Sequence, residues 1–254
     1  MKFYLGTHCM SHIEKTNVPL FVSFNQLRNR KKPFKSSPSI CLDSGAFSHL
    51  SKHGKWVISP HEYIEEVQRL QNELNLKFEW IAPQDSMCEP FMLQKTGLTV
   101  DEHIQQTVHN FIHLRSLTSD NNIHVIPVLQ GYTIQEYIQC YELYQQHGIN
   151  LSEEKTVGLG SVCRRQSTDE IFEIVKLFHS KGLKLHGFGV KTNGLKKYSN
   201  LLQSADSMAW SFGARYSKEH CSIHKISPTT LNCANCLNYA LEWRNKILIK
   251  GVTK

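Results

Sequence analysis

One complete strand–helix unit of this sequence is IHVIPVLQGYTIQEYIQCYELYQQHG, residues 123–148. Its first part, Ile123–Leu129, is a short apolar run that predicts a buried strand. Thr133 followed by Glu136 forms the capping-box pattern that starts a helix, and Gly148 is the residue type that ends one. A buried strand that leads through a short loop into an amphipathic helix is the repeating unit of α/β folds.

The same alternation recurs along most of the chain. Further strands are predicted at 3–5, 19–24, 40–42, 78–81, 155–159, 183–188 and 204–211. Further helices are predicted to start at Ser59, at Thr99 and at the Ser167/Glu170 capping-box pattern. About eight strands, most followed by a helix and with no Gly-x-Gly-x-x-Gly fingerprint, favour a (β/α)8 TIM-like barrel over a doubly wound sheet. Residues 8–38 fit this pattern poorly.

Composition agrees with one α/β domain and a short appendage. The chain has 254 residues, a net charge of +7 and 8 cysteines. No window approaches the roughly 18 apolar residues of a membrane helix, and the first residues lack the apolar region of a secretion signal. We therefore expect a cytoplasmic protein with no membrane contact, whose cysteines are thiols or metal ligands.

The positive charge is concentrated in two stretches. Residues 28–35 contain five basic residues and no acidic one, and residues 215–254 contain seven basic residues against two acidic ones. Clustered lysine and arginine are typical of proteins that bind polyanions, although a solvated basic face has the same charge pattern.

Polar residues and glycines gather where the predicted strands end. In chain order these positions are Asp43, Ser44, Asp85, Gln130, Gly131, Gly158, Gly160, Lys191 and Asp206. The carboxyl ends of barrel strands meet at one mouth, so these residues predict a polar ligand pocket there. An isolated Asp43 or Asp85 at a strand end is also the usual cap of a turn. Asp206 lies within a strand of small and apolar residues, where a charge must be paired or functional.

A second group of residues has the spacing of metal ligands. It reads Cys221-x2-His224-x8-Cys233-x2-Cys236, with His220 as a competing imidazole. Two closely spaced pairs of thiols and imidazole suit a tetrahedral structural zinc site, although two unrelated thiol pairs have the same spacing. We therefore divide the chain into a barrel over 1–215 and a zinc-binding segment with a basic terminal helix over 216–254.

The order of these motifs resembles the tRNA-guanine transglycosylase superfamily, and most closely its DpdA-type branch in phages and bacteria. The resemblance rests on Asp43-Ser44-Gly45-Ala46-Phe47, Asp85, Gln130-Gly131, Gly158-Leu159-Gly160, Asp206 and the Cys/His segment. Where the tRNA enzymes carry two arginines beyond the nucleophile, this chain has Phe212 and Arg215. The DNA-type branch is indicated by Asn232-Cys233-Ala234-Asn235-Cys236 and the terminal helix that follows.

The resemblance implies a pentosyltransferase that exchanges guanine in DNA for a 7-deazaguanine base such as preQ0 or a derivative. It implies that Asp206 is the nucleophile, that Asp43 is the acid/base, and that Zn²⁺ is structural. Substrate contacts would come from the other positions listed above and from Arg215. Three alternatives stay open: the same exchange in tRNA, an inactive barrel that binds nucleic acid, and a sugar hydrolase.

Overall fold

The computed structural model describes residues 1–119, 122–217, 220–226 and 232–252. Lys218 and Lys254 of the predicted basic stretch, and residues 227–231 of the loop inside the Cys/His segment, lie outside this part of the chain. None of the described helices combines the length and apolarity that a bilayer crossing requires.

The fold is α/β, with eight parallel strands in one curled sheet. The strands are β1 Lys2–Thr7, β2 Leu20–Ser23, β3 Ile40–Asp43, β4 Phe78–Ile81, β5 Val128–Leu129, β6 Val157–Leu159, β7 Leu185–Gly187 and β8 Ser204–Ser207. Their order across the sheet is β4-β3-β2-β1-β8-β7-β6-β5. Strands consecutive in the chain are therefore neighbours, except that β4 and β5 lie at the two ends of the order, and β1 pairs with β8 in the middle. The predicted α/β class is confirmed.

The helices lie between and after the strands. They are α1 Phe24–Leu27, α2 Ala46–His53, α3 Pro60–Leu74, α4 Pro90–Thr96, α5 Val100–Leu117, α6 Ile134–Gln146, α7 Asp169–Ser180, α8 Thr192–Tyr198, α9 Ala209–Tyr216, α10 Ser222–Ile226 and α11 Leu237–Val252. Capping boxes start α3 at Ser59, α5 at Thr99 and α6 at Thr133. At α7 the prediction is wrong by one residue, because Thr168 rather than Ser167 is the N-cap and its hydroxyl accepts from the Ile171 N–H.

The predicted strand Ile123–Leu129 is divided in the structure. Only Val128–Leu129 pairs with β6, whereas the residues before Pro127 bond to β4. Ile81 N–H donates to His124 O at 2.9 Å, and Ile126 N–H donates to Ile81 O at 3.1 Å. Pro127 has no N–H to give to a ladder, which interrupts the run between its two partners. These bonds join the segment that precedes β5 to β4, at the opposite end of the strand order.

The predicted strand 204–211 is also shorter than expected. β8 ends at Ser207, and α9 begins at Ala209, whose N–H donates to the Ser207 hydroxyl at 3.3 Å. Residues 8–38, which fitted the alternation poorly, contain the predicted second strand as β2, the short helix α1 and a 3-10 turn at Met10–His12.

Aromatic side chains fill the inner face of the sheet. A buried cluster contains Tyr4 of β1, Trp80 of β4 and Ile126, with Phe21 and Phe188 packed against it. The larger core lies between the outer face of the sheet and the helices, where α3, α5, α6 and α7 bury their apolar stripes. Because the inner face is filled by these rings, the open space inside the sheet lies beyond the carboxyl ends of the strands.

Candidate active site

A cavity of about 210 Å³ opens at the carboxyl ends of the strands. Five of the residues that line it come from strand ends or from the turns that follow: Asp43, Asp85, Gln130, Gly160 and Asp206. The carboxyl groups of Asp43, Asp85 and Asp206 therefore face one small cavity, although these residues are separated in sequence by about 40 to 160 residues. The parallel sheet brings them together because all its strands end on the same side.

Asp43 is the last residue of β3, and its carboxyl group lies against the turn into α2. Burial raises the pKa of Asp43 to about 6, the nearby Asp206 charge also raises it, and hydrogen bonds from the Gly45 N–H and Ser23 lower it. Gly45 has φ +81°, and a Cβ there would lie 2.2 Å from Asn25 Nδ2, so this turn requires glycine. Asp43 can consequently hold a proton near neutral pH.

Asp85 is buried in the loop after β4 and is held by two side chains. Ser44 Oγ donates to its Oδ1 at 3.3 Å, and Gln130 Nε2 donates to its Oδ2 at 2.6 Å. Burial raises its pKa to about 7, and the Asp43 charge contributes in the same direction. Gly160 makes room for this arrangement, because a Cβ there would lie 2.3 Å from Gln130 Nε2.

Asp206 lies on β8 and is 6% exposed. Its Oδ1 accepts from the Gly189 N–H at 2.9 Å and lies 3.3 Å from His186 Nε2. His186 is fully buried on β7, and its Nδ1 is 2.9 Å from Ser204 Oγ. The rings of Tyr4, Phe21, Trp80 and Phe188 surround this imidazole. Asp206 is thus fixed by a backbone donor and lies beside an imidazole that cannot rotate away.

The Cys/His segment forms a second centre beyond α9. Ligand atoms of Cys221, His224, Cys233 and Cys236 all lie within 4.8 Å of one another. The two sulfur atoms of Cys221 and Cys236 are 3.7 Å apart, close to the roughly 3.8 Å edge of a tetrahedron built with zinc–sulfur bonds of about 2.3 Å. His224 Nδ1 lies 3.2 Å from Cys233 Sγ, whereas His220 Nδ1 lies 3.8 Å from it. The donor set and its spacing fit a zinc ion, with His224 as the imidazole ligand.

This centre packs against the loop that follows β1. His8 Nε2 lies 2.7 Å from Asn235 Oδ1, and His12 Nε2 lies 3.2 Å from Asn235 O. Both imidazoles also contact the Trp210 ring of α9, directly after the strand that carries Asp206. The Cys/His centre is therefore connected through two histidines to the helix next to the cavity.

Comparison with known families agrees with this arrangement. The family model described as DpdA, deoxypurine in DNA protein A, matches residues 1–253. The chain belongs to the DpdA family. Membership implies a transglycosylase-type role in DNA modification, with DNA and a deazaguanine base as substrates. Among curated protein sequences, none matches this chain.

The remaining predicted substrate residues of this DpdA-family chain lie outside the cavity wall. Ser44 stands behind Asp85, Gly131 packs against the first turn of α6, and Gly158 lies under the Phe188 ring. Lys191 and Arg215 are exposed, at the start of α8 and near the end of α9.

Several lining residues were not anticipated from the sequence. Glu89 and Ser161 line the cavity beside Gln130, and Ser161 has an unusual φ of +53° for a residue other than glycine. His186 was missed as a neighbour of Asp206 because a histidine in an apolar strand looks like an ordinary core residue. The one available signal was a polar residue inside a predicted buried strand, the same signal that singled out Asp206.

Proposed function

We propose that this chain exchanges guanine in DNA for a 7-deazaguanine base through a covalent glycosyl–aspartate intermediate on Asp206. The observation that carries the proposal is the convergence of Asp43, Asp85 and Asp206 on one cavity of about 210 Å³ in a DpdA-family chain. A double displacement at a sugar carbon needs a nucleophilic carboxylate and a separate acid/base, and Asp206 and Asp43 provide such a pair.

In the first half of the reaction, an Asp206 oxygen attacks C1′ of the target nucleotide and the bond from C1′ to guanine N9 breaks. Asp43 gives its proton to the leaving guanine, which the raised pKa of about 6 allows near neutral pH. The Gly189 N–H donates to the attacking carboxylate and holds it in place, and the imidazole of His186 lies beside it. The product of this half is an ester between Asp206 and C1′.

In the second half, the deazaguanine base takes the place of guanine. Asp43, now a carboxylate, accepts the N9 proton of the incoming base while N9 attacks C1′ and the ester bond to Asp206 breaks. Asp206 returns as a carboxylate and Asp43 is protonated again, so the enzyme is regenerated. Two inversions at C1′ leave its configuration retained.

Asp85 and Gln130 suit recognition of the base. A guanine or 7-deazaguanine presents N–H donors at N1 and the 2-amino group, and an acceptor at O6. Asp85 offers carboxylate oxygens to the donors, and the second N–H of the Gln130 amide is available for O6. The base must leave the duplex stack to reach this cavity, at a cost of a few kcal/mol.

The surface beside the cavity suits a DNA partner. Arg28, Lys52 and His53 line a shallow depression of about 240 Å³. It borders the turn after Asp43, since Asn25 of this depression donates to Gly45 O at 3.4 Å. On α9, the helix that follows the strand of Asp206, the exposed rings of Phe212 and Tyr216 have centroids 5.0 Å apart beside Arg215. Cations for phosphates and exposed rings for unstacked bases are the usual means of holding a distorted strand.

We also infer that the curled sheet is a closed (β/α)8 barrel and that the metal is a structural Zn²⁺. Closure is supported by the bonds of Ile81 to residues 124 and 126, which link the two ends of the strand order. Zinc would be held by Cys221, His224, Cys233 and Cys236, and would stabilise the segment that contacts the loop after β1.

The decisive experiment is exchange of labelled guanine into duplex DNA by wild type and Asp206→Asn. Wild type should incorporate label, and the variant should lose incorporation together with the covalent protein–DNA adduct trapped from wild type. Exchange by Asp206→Asn at the wild-type rate would refute the nucleophile assignment.

The same assay with tRNA in place of DNA tests the closest alternative. Incorporation into tRNA rather than DNA would assign the chemistry to the other branch of the superfamily. DNA binding that survives the double change Asp43→Ala and Asp206→Ala, with no exchange by wild type under any condition, would favour an inactive binding barrel.

A further inference from the structure

Arg164 is a cation at the rim of the cavity that the exchange reaction above does not use. It directly follows Cys163, which lines the cavity, and its side chain is exposed. The next residue, Arg165, is tied into the fold, because it donates to Glu170 Oε2 at 2.8 Å and to Tyr132 O. Arg164, by contrast, makes no ion pair within the described part of the chain. The charge of Arg164 is therefore available to a partner from outside the chain.

Two aromatic rings hold the guanidinium of Arg164 in place. Its central carbon lies 4.3 Å from the centroid of the Phe91 ring, on α4, and 5.8 Å from that of the Phe47 ring, on α2. Phe47 itself lines the cavity. A guanidinium that stacks on a ring keeps its N–H edge free to donate, and it loses little conformational freedom when it binds an anion. Arg164 is thus a preorganised anion ligand beside the cavity.

The part of the rim next to Arg164 is also close to Asp206. Gly189 donates its N–H to Asp206 Oδ1, and a Cβ on Gly189 would lie 2.8 Å from Cys163 Sγ. Burial raises the pKa of the Cys163 thiol, and the charges of Lys191 and Arg164 act against this rise. Both cations therefore lie near the part of the rim that borders Asp206.

The geometry of the substrate indicates which anion this part of the rim would meet. In the proposed reaction, C1′ of the target nucleotide lies against Asp206 and its base lies against Asp85 and Gln130. The phosphates on the two sides of that nucleotide are only a few bonds from C1′. Because burial of their charge beside three carboxyl groups is unfavourable, they stay outside the cavity, at the rim. One of them would consequently lie close to Arg164.

We propose that Arg164, together with Lys191, binds the backbone phosphate next to the nucleotide whose base is exchanged. This inference rests on the proposed function. The planar guanidinium can donate two N–H groups to two phosphate oxygens, which fixes the orientation of the phosphate as well as its position. Because the phosphate is joined to the sugar, the same contact holds C1′ in line with Asp206 during the attack. Arg28 and Lys52 line a separate depression and would contact other phosphates.

The test combines Arg164→Gln with neutral linkages in the DNA. Each duplex carries a single guanine in the target strand, and a methylphosphonate replaces the phosphate on its 5′ or its 3′ side. Both Kd and kcat/KM for guanine exchange are measured for every pair of protein and duplex. In wild type, one of the two neutral linkages should lower kcat/KM about 10-fold. Arg164→Gln should lower it about 10-fold on the natural duplex and lose nothing further on that neutral linkage, because the contact is already absent.

Two further variants separate the contact from an effect on the fold. Arg164→Lys keeps the charge but not the planar fork, so its loss should be smaller than that of Arg164→Gln. Lys181→Gln is the matched control. Lys181 is also an exposed cation over a ring, 4.9 Å from the Tyr141 centroid, but it lies between α7 and β7, at the amino ends of the strands. Lys181→Gln should keep the wild-type kcat/KM and the wild-type response to the neutral linkage.

Binding without base exchange tests the contact separately from the proposed reaction. Suppose that wild type exchanges no base, but its Kd for the duplex rises about 10-fold on one neutral linkage and Arg164→Gln abolishes that rise. The proposed function then fails and the assignment of Arg164 stands. If neither neutral linkage affects wild type, or if the losses from Arg164→Gln and from the neutral linkage multiply, the assignment of Arg164 is overturned.

Discussion

Replacement of Asp85 by asparagine should stabilise the protein, and the gain should grow with pH. The ordinary pKa of an aspartate in this scale is 3.8, and in the folded protein burial and the Asp43 charge raise the pKa of Asp85 to about 7. Between these values the folded protein keeps a proton that the unfolded chain releases. The stability of wild type therefore falls as the pH rises through this window, whereas asparagine does not titrate.

The magnitude follows from the two pKa values. A difference of about 3 pH units corresponds to about 4 kcal/mol at 1.36 kcal/mol per unit. Asparagine can still accept the hydrogen bond from Gln130 through its oxygen, and its nitrogen can donate to the Ser44 hydroxyl. We therefore compare the free energy of unfolding of Asp85→Asn minus that of wild type at the two pH values. This difference should be about 4 kcal/mol larger at pH 8 than at pH 4.

Urea unfolding of both proteins at intervals from pH 4 to pH 8 measures this difference. The control is Asp169→Asn, because Asp169 is on the surface and its pKa is lowered by Lys197, so its contribution to stability is lost as the pH falls. A constant difference between Asp85→Asn and wild type across the pH range would refute the account of Asp85. The variant should also lose exchange activity, because recognition of the base uses the charged carboxylate of Asp85, while burial of that same charge lowers the stability of the fold.

Three further changes test the other parts of the site. His186→Phe keeps a ring in the aromatic cage but removes the nitrogen beside Asp206, so formation of the covalent adduct in a single turnover should slow about 10- to 100-fold while KM changes little. Cys236→Ser removes one of four ligands, so zinc content measured by metal analysis should fall from one per chain and the melting temperature should drop. Cys163→Ser, which lies by Gly189 and not in this cluster, should change neither. Arg28→Ala should weaken DNA binding to all sequences alike and reduce the slope of log Kd against log salt by about 1, whereas Lys176→Ala on the exposed face of α7 should not.

Each of these expectations has an outcome that contradicts it. Adduct formation by His186→Phe at the wild-type rate would make the imidazole a packing residue only. If wild-type protein from which zinc has been removed keeps the melting temperature it had before, the Cys/His centre is not a structural metal site. If the slope of log Kd against log salt is the same for Arg28→Ala and wild type, Arg28 does not contact the DNA phosphates.

The α/β class and the alternation of elements could be predicted because local signals agree with the fold. Ser59, Thr99 and Thr133 cap helices by bonds within one turn, which sequence spacing alone specifies. The position of the aspartates at strand ends was equally local. Because the strands are parallel, residues at their carboxyl ends all lie at the same end of the sheet.

The errors and omissions come from interactions between distant parts of the chain. The run 123–129 is apolar throughout, and its division depends on whether each residue meets β4 or β6, which only the sheet determines. Glu89 looks like any acidic residue before a short helix. It lies in the cavity wall because the fold brings it against Ser161, 72 positions further along the chain. No local pattern reveals that contact.

The placement of β1 has a consequence for how the molecule is made. This first strand lies between β2 and β8, with Lys2 opposite Ser204, and Arg244 of α11 donates to Phe3 O at 3.1 Å. During synthesis on the ribosome, one edge of β1 therefore has no partner until β8 has emerged, and the Cys/His centre follows later still. Asp206 reaches the cavity in the same late step as that pairing. A nascent chain in which β8 has not yet paired with β1 consequently lacks Asp206, the carboxylate that we propose as the nucleophile.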